Sequence, residues 1–356
     1  MEIQIGRVTV GDKHPVCFIA DIGANFDGSL DRALMLIELA ASAGANIVKF
    51  QSYDPKKIVS DYGFTSLGKM SHQKSWNKSV IETWEDAKLP NEWIPQLASK
   101  CADNGVEFMS TPYSFEAVDA LAPYVNAYKI GSGDIDYHDF LAYVARKDKP
   151  IILSTGAADM EDVSRAVYTI VSANPRLPLV LMQCNTNYTV DDDKYKYANL
   201  NVLRAYAFLF PNHILGLSDH TLDLDIITAS IALGARVIER HFTDDYGRVG
   251  PDHSFACEPE DWKDMVATSQ IADAMLGDGI KRVEDNELET RIAQRRCLRV
   301  RDGIPEGSYL HNDDIEVLRP APRESLPPSY RKFAVGRKVR RTIPAGDYIR
   351  MEDLEA

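Results

Sequence analysis

Gly216-Leu217-Ser218-Asp219-His220 and Val237-Ile238-Glu239-Arg240-His241 are two short runs with strand character, and each ends in histidine. A helix-length segment separates them. If they are neighbouring parallel strands, both imidazoles reach the same end of one sheet and point into one pocket. Two imidazoles held in this way suit a borderline divalent ion such as Mn²⁺ or Zn²⁺, with open positions for water and a substrate oxygen. Two ligands are fewer than a structural zinc needs, so a structural histidine pair is the competing reading. Asp219, next to His220, and Glu239, two residues before His241, are candidates for orienting the rings.

Similar apolar runs recur upstream, at Val16 to Ala20, Ala45 to Phe50, Val106 to Ser110, Ala127 to Ile130, Pro150 to Ser154 and Leu179 to Cys184. With Ile214 to Ser218 and Ala235 to His241 they make eight strands, separated mostly by segments with helical periodicity. This alternation predicts an α/β fold, and eight strands favour a closed (β/α)8 TIM barrel over an open doubly wound sheet. In the first helix Ser29 is the expected N-cap, Leu30, Ala33, Leu34, Ile37, Ala40 and Ala41 the buried stripe, and Gly44 the stop. Trp262 to Met275 supplies the eighth helix. The polar stretch 51–92, with Trp76 and Trp84, is long enough to fold over the barrel mouth as a lid or substrate wall, or to be surface decoration.

The charged segment 281–296 reads as a solvated linker or an exposed helix. Residues 297–356 then alternate short β-like pieces with turns, and "IPEGSYLHNDDIEVL" and "IPAGDYIRMEDLEA" resemble each other. The repeat predicts a small pseudo-symmetric β-clip of duplicated hairpins. The expected organisation is a barrel over 1–280, a linker over 281–296 and the clip over 297–356.

A chain of 356 residues with 45% hydrophobic content can bury a large core. Its net charge of −13 argues against a general nucleic-acid or anionic-membrane surface while leaving room for a local anion pocket. The five cysteines stand singly, without C-x-x-C spacing, which fits reduced thiols. Neither a signal-like N-terminus nor a run of 18 apolar residues occurs, so a cytoplasmic protein is the default expectation.

Barrel enzymes build their sites from the C-terminal ends of the strands. Here those ends carry Asp21, then Lys49 and Gln51, Ser110-Thr111-Pro112, Lys129 with Ser132-Gly133, Ser154-Thr155-Gly156, Gln183 to Tyr188 including Asn187, Ser218 with His220, and Glu239 with His241. A lysine inside a barrel is costly unless it meets an anion, so Lys49 and Lys129 either pair with carboxylates or hold a ligand's negative charge. The small residues and glycine N–H groups beside them are the usual company of phosphate. An anion cradle, a Lewis acid and Asp21 together suit addition of a phosphorylated enol to a carbonyl, and phosphate-ester hydrolysis is also compatible.

At this point the ordered motifs "IADIG", "AGANIVKFQ", "FMSTPYS", "YKIGSGD", "PIILSTG", "GLSDHT", "GARVIERHFT", "GPDHSFACEP", "RRCL" and "GRKVRRTIPAG" become decisive. Over nearly its full length the chain resembles the sialic acid synthase family, the phosphoenolpyruvate-dependent synthases of nonulosonic acids, which include N-acetylneuraminate, legionaminate and pseudaminate synthases. The resemblance implies a (β/α)8 barrel with a C-terminal antifreeze-like (SAF-type) domain, in a domain-swapped homodimer. It implies condensation of phosphoenolpyruvate with an N-acylated amino sugar, such as N-acetylmannosamine or a 2,4-diamino relative, with release of phosphate by C–O cleavage. It places Mn²⁺ or Mg²⁺ on His220 and His241, and phosphoenolpyruvate at Lys49, Gln51, Thr111, Lys129, Ser132, Ser154 and Ser218. Tyr188 and Asp252 would address the sugar, and Arg319 would reach its acyl group from the other subunit.

The chain departs from the family pattern where Asp21 replaces the usual glutamate, shortening its reach by about 1.5 Å, and where Phe26 and Asp27 replace a histidine and an asparagine. Thr189 stands for a proline, and Ala321-Pro322-Arg323-Glu324 for a glycine-containing turn. These changes lie on the sugar and catalytic side. They keep open a synthase with an atypical sugar aldehyde, a lyase running the reverse aldol, or a non-catalytic sugar-binding protein.

Overall fold

Strand side chains alternate between two faces, and in a barrel of parallel strands both faces are covered. The computed structural model describes residues 1–68, 70, 73, 74, 76–188, 194–221 and 223–355. It contains the eight expected strands: β3 (Cys17–Asp21), β4 (Ile47–Ser52), β5 (Glu107–Pro112), β6 (Tyr128–Ile130), β7 (Ile151–Ser154), β8 (Leu179–Cys184), β9 (Ile214–Asp219) and β10 (Ala235–His241). They form one parallel sheet in the order β5-β4-β3-β10-β9-β8-β7-β6. Side-by-side packing of β5 and β6 brings the two ends of the sheet together, so the sheet is a TIM barrel.

Alternate residues divide the barrel into two cores. Phe18, Val48, Phe108, Tyr128, Leu153, Leu181, Leu217 and Ile238 face out and are covered by the helices. Ile19, Ile47, Met109, Ile152, Val180, Met182 and Val237 face in and fill the lower barrel. The first helix runs Leu30–Ser42, with the Ser29 hydroxyl accepting from Arg32 N–H. It buries Ala33, Leu36, Ile37 and Ala40. Leu36 was absent from the expected stripe, whereas Leu30, Leu34 and Ala41 only border the core. The last barrel helix, Pro259–Leu276, buries Trp262 and Met265.

An antiparallel hairpin of β1 (Glu2–Ile5) and β2 (Val8–Gly11) precedes the barrel and was not foreseen. Its Ile3, Ile5 and Val10 join the inner core and seal the N-terminal end of the barrel. The stretch after β4 forms short helices at Pro55–Ile58, Asp61–Leu67 and Val80–Ala87. Among the described residues, no helix is long and apolar enough to cross a membrane.

Contacts divide the chain into Met1–Gly277 and Asp278–Ala356. In the second unit the charged segment forms a helix, Leu288–Gln294, tied to the proline-rich loop by Ala321 N–H donating to Ile292 O at 2.9 Å. β11 (Cys297–Val300) pairs with β12 (Ile315–Leu318) in antiparallel fashion. The internal repeat is visible as local symmetry: Ile304 and Ile343, the first residues of the two similar segments, exchange both backbone hydrogen bonds at 2.9 Å. Each segment also carries a 3-10 turn at the matching place, Asn312–Asp314 and Met351–Asp353, and in each the closing aspartate accepts from the backbone N–H of the residue before the turn, His311 at 2.7 Å and Arg350 at 2.8 Å.

Candidate active site

The alternation that builds the inner core also builds the site. Continuing the inward set upward from Ile19, Ile47, Met109, Ala127, Ile152, Met182 and Val237 gives Asp21, Lys49, Thr111, Lys129, Ser154, Cys184 and Glu239. Ser218 and His220 lie in phase on the β9 side, and His241 follows Glu239. Register sets His241 beside Asp21 and Asp21 beside Lys49, so three elements deliver one polar row.

The lysines meet carboxylates. Lys49 Nζ donates to Asp21 Oδ2 at 2.6 Å and lies 3.9 Å from Glu239, while Lys129 Nζ is 3.1 Å from Glu239 Oε1. All four groups are buried. Burial alone would raise the Asp21 pKa, but Lys49, His241 and Lys129 outweigh it and hold the carboxyl at about 2. For Lys49, burial works in the opposite sense and is outweighed by Asp21 and Glu239, so its pKa is raised. Gln51 Nε2 also donates to Asp21 Oδ2 at 3.1 Å, and Thr111 Oγ1 lies 3.4 Å from Lys49 Nζ. Asp21 therefore contacts Lys49 directly despite its shorter side chain.

On the far wall Ser132 Oγ accepts from Gly156 N–H at 2.9 Å, and Ser218 Oγ donates to Glu239 Oε1 at 3.3 Å. Ser154 Oγ lies 4.0 Å from Met182 Sδ. At Gly156 a Cβ would come within 2.4 Å of Thr186 Cγ2, so only glycine admits this close approach. The Cys184 thiol is pushed up to about 11 by burial and is no thiolate nucleophile. Asp134, beside Ser132, is raised to about 6 by burial and by Asp136, and its Oδ2 is buried without a hydrogen-bond partner. The folded state therefore holds this proton up to about pH 6, whereas an unfolded aspartate loses it near pH ~4. Asp134→Asn should stabilise the fold above pH 6 by about 1 kcal/mol after discounting for partial exposure. The gain should vanish below pH ~4 in urea titrations across pH; a pH-independent gain would contradict this.

The two histidine rings lie with centroids 5.5 Å apart. His220 Nδ1 donates to Asn185 O at 2.9 Å, leaving the Nε2 lone pair available. Burial, reinforced by His241, lowers the His220 pKa to about 3, so the ring is neutral at pH 7. His241 Nδ1 is buried without a hydrogen-bond partner, 3.9 Å from Asp252 Oδ2, and its Nε2 is 3.5 Å from Asp21 Oδ2. Among the described residues no cluster of three or more His, Cys, Asp or Glu is arranged around one point. Two imidazoles, one of them with an orphaned nitrogen, fit an open, catalytic type of divalent-ion site better than a closed structural one.

Asp219 does not orient a histidine. It is out of phase with His220, faces outward and pairs with Arg240 at 3.2 Å. It also accepts from Thr221 N–H and Oγ1. Glu239 is in phase but serves Lys129. Phe26 likewise points away from the site, packing into the core against Phe50 and Trp93. Asp27 instead ties two loops together, meeting Arg32, Arg248 at 3.0 Å and the fully buried His253 at 2.9 Å. Its neighbour Asp252 accepts from Ala24 N–H at 2.9 Å, and a Cβ at Gly23 would strike that carboxylate at 2.5 Å.

Tyr188 packs edge-on to His220 with centroids 4.4 Å apart, and burial raises its pKa so that the hydroxyl stays protonated. Asn187 lines a small cavity with Ser218 and His220. Thr189 lies outside the described residues. Above the histidines a larger cavity is bounded by Gln51, Tyr53, Trp84, Tyr113, Tyr188 and Asp252. Tyr53 and Tyr113 were missed in the sequence, although Lys49, Gln51 and Tyr53 follow the same period of two. Arg319 belongs to the second unit, where its Nε donates to Gln294 O at 2.6 Å.

A parallel eight-stranded barrel with this polar cluster at the C-terminal strand ends defines a TIM-barrel enzyme joined to a SAF domain. Residues 36–281 match the NeuB family and residues 295–355 the SAF domain, and the chain belongs to the NeuB family. It is 33% identical to N,N'-diacetyllegionaminic acid synthase of Legionella pneumophila over 96% of this chain and 95% of the relative. It is 31% identical to N-acetylneuraminate-9-phosphate synthase of Mus musculus over 100% of this chain and 97% of the relative. The crystal structure of the N-acetylneuraminic acid (sialic acid) synthetase of Leptospira borgpetersenii, in complex with citrate, superposes with a TM-score of 0.71 at 26% identity, covering 82% of this chain and 95% of that one.

Proposed function

We propose that this protein condenses phosphoenolpyruvate with an N-acylated amino-sugar aldehyde to give a nonulosonic acid and inorganic phosphate. The observation that carries the reading is the single inward layer of Asp21, Lys49, Lys129, Glu239, His220 and His241 at the strand ends of a NeuB-family barrel. The relatives described above are named as synthases, which does not favour a lyase.

The balance is simple. The enol C3 attacks the aldehyde carbon and forms the C–C bond, water adds at C2, and the bond between C2 and the bridging phosphate oxygen breaks as phosphate leaves; the two protons of the water end on the new hydroxyl and on the phosphate. Lys49 and Lys129 match the ligand's carboxylate and phosphate, each ammonium turning from its carboxylate partner toward the incoming anion. Ser132, Ser154, Thr111, Gln51 and Ser218 complete the polar lining. Asp21, ionised because Lys49 holds it so, accepts the proton of the attacking water. Tyr188, kept protonated by burial, donates from its hydroxyl toward a sugar oxygen, and Asp252 accepts from a sugar hydroxyl. A divalent ion, Mn²⁺ or Mg²⁺, held by His220 and His241 would supply Lewis-acid polarisation of the aldehyde.

The test is phosphate release from phosphoenolpyruvate with Mn²⁺ and a panel of N-acyl hexosamines. No acceptor-dependent release from folded protein would sink the reading. His241→Ala should weaken Mn²⁺ binding at least tenfold by calorimetry while the melting temperature of the metal-free protein stays within a few degrees; unchanged binding would remove the ligand assignment.

The proposal includes a domain-swapped homodimer with Arg319 acting on the sugar's acyl group in the other subunit's barrel, on the strength of the resemblance at Leu318-Arg319-Pro320. Mixing inactive His241→Ala and Arg319→Ala chains should then restore part of the activity, because some mixed dimers hold one intact site. No recovery after subunit exchange would argue against the swap. A cytoplasmic setting is supported by the free, buried state of all five cysteines.

A further inference from the structure

The two histidines are held in place by different means. His241 is the last residue of β10 and still belongs to the sheet: it stands in register with Asp21 of β3, and its carbonyl accepts from Cys257 N–H at 2.8 Å. His220 lies one residue past the end of β9. It is beyond the last rung shared with β8, which pairs Cys184 with Ser218, and the last shared with β10, which pairs Asp219 with Arg240. The sheet stops just short of this ring.

Side chains take over where the sheet ends. Asp219 and Arg240, opposite one another on that final rung, face outward and lie 3.2 Å apart, 4% and 2% exposed. Asp219 accepts from Thr221 N–H at 3.1 Å and from Thr221 Oγ1 at 3.0 Å, and Arg240 donates to Thr221 O. These bonds join the residue before His220, the residue after it and the neighbouring strand, so the main chain on both sides of the histidine is tied to β10. Between the two ties, His220 O accepts from Lys194 Nζ at 2.9 Å. The rung that would follow Asp219 and Arg240 is His220 with His241, and their centroid separation of 5.5 Å is close to the ~4.8 Å between neighbouring strands.

We propose that Asp219, Thr221 and Arg240 form a clamp on the outer face of the barrel that sets the spacing of His220 from His241, and through it the affinity for the divalent ion. They are positioning residues: they act through the main chain and touch neither imidazole. The inference rests on the metal placement proposed above and goes beyond it. Groups that bind an ion must be held to within about 0.5 Å, and losing a partner that steadies a ligand commonly costs roughly 10–100-fold in metal affinity.

The experiment measures Mn²⁺ binding to the full-length protein by calorimetry, together with phosphoenolpyruvate binding in the absence of metal. Arg240→Met alone would strand a buried carboxylate, so the informative variant is the double Asp219→Leu/Arg240→Met, which removes both charges and should still unfold cooperatively in urea. It should bind Mn²⁺ at least fivefold more weakly than the parent while phosphoenolpyruvate affinity changes less than twofold. Arg240→Lys, which keeps a cation beside Asp219, should lie closer to the parent than to the double variant. A folded double variant with a smaller loss of Mn²⁺ affinity, or with an equal loss for both ligands, would overturn the clamp. If the double variant does not fold, Thr221→Val decides, because it keeps both charges and deletes only the hydroxyl bond to Asp219: unchanged Mn²⁺ affinity would overturn the clamp, and a drop of threefold or more would support it. Mn²⁺ binding indifferent to His241→Ala would remove the metal placement, and the clamp with it; binding sensitive to His241→Ala but not to these variants would remove the clamp alone.

Discussion

Asp21→Asn should lower kcat by about 10²–10⁴-fold, the range expected when a positioned general base is lost, without raising the KM for phosphoenolpyruvate. The carboxylate is held ionised at about 2 by Lys49, His241 and Lys129 acting against its burial. At neutral pH it can take a proton but has none to give. It also competes with the ligand's anion for Lys49, to which it is bonded at 2.6 Å. Replacing it by a neutral amide removes the base and the competitor together, so turnover should collapse while phosphoenolpyruvate binds at least as well. A kcat within about threefold of the parent would dismiss Asp21 as the base. The depressed pKa also fixes a stability window. Because the folded-state value lies below the unfolded one, near ~3.9, the ion pair contributes fully above that pH. Its contribution is lost as pH falls from ~4 toward 2. Acid unfolding of the parent should therefore be steeper in this interval than that of the Asn variant.

Lys129→Met should destabilise the fold by about 3–5 kcal/mol, the usual result of stripping one partner from a buried ion pair. Glu239 has Lys129 at 3.1 Å and Lys49 at 3.9 Å, and its Oε2 already lacks a hydrogen-bond partner. Without Lys129 it would be a carboxylate 5% exposed, supported by Ser218 and a more distant, shared ammonium. Adding Glu239→Gln should recover most of the lost stability, because the uncompensated charge is then gone. Activity should stay lost in the double variant, since the ammonium that faces the ligand's anion is missing. Urea titrations of the parent, both single variants and the double variant form the cycle. A single variant within 1 kcal/mol of the parent would mean that Lys129 and Glu239 are not the coupled pair described here.

The eight strands and the placement of both histidines were legible because parallel barrel strands are apolar runs of fixed length, and the polar residues that interrupt them gather at one end. Lys49 and Lys129 stood out for the same reason. The assignment of Asp219 as a histidine partner went astray because adjacency in sequence was weighed and side-chain parity was not: residues one apart on a strand face opposite sides. Tyr53 was within reach by that rule, two positions after Gln51. The Asp27–His253 contact was out of reach, since it joins loops 226 residues apart, and no local pattern encodes such a pairing. The N-terminal hairpin was missed because its two strands are only four residues each, too short for periodicity to speak.

That hairpin determines how the reaction must be staged in time. With Ile3, Ile5 and Val10 stoppering the lower barrel, every molecule enters and leaves through the same mouth. The lysines that would hold phosphoenolpyruvate lie at the bottom of this cul-de-sac, 2–3% exposed, beneath the aromatic cavity. If phosphoenolpyruvate sits on these lysines, a sugar seated above it would close its way in; loading should then be compulsory-order with phosphoenolpyruvate first, and dead-end sugar analogues should inhibit uncompetitively toward phosphoenolpyruvate.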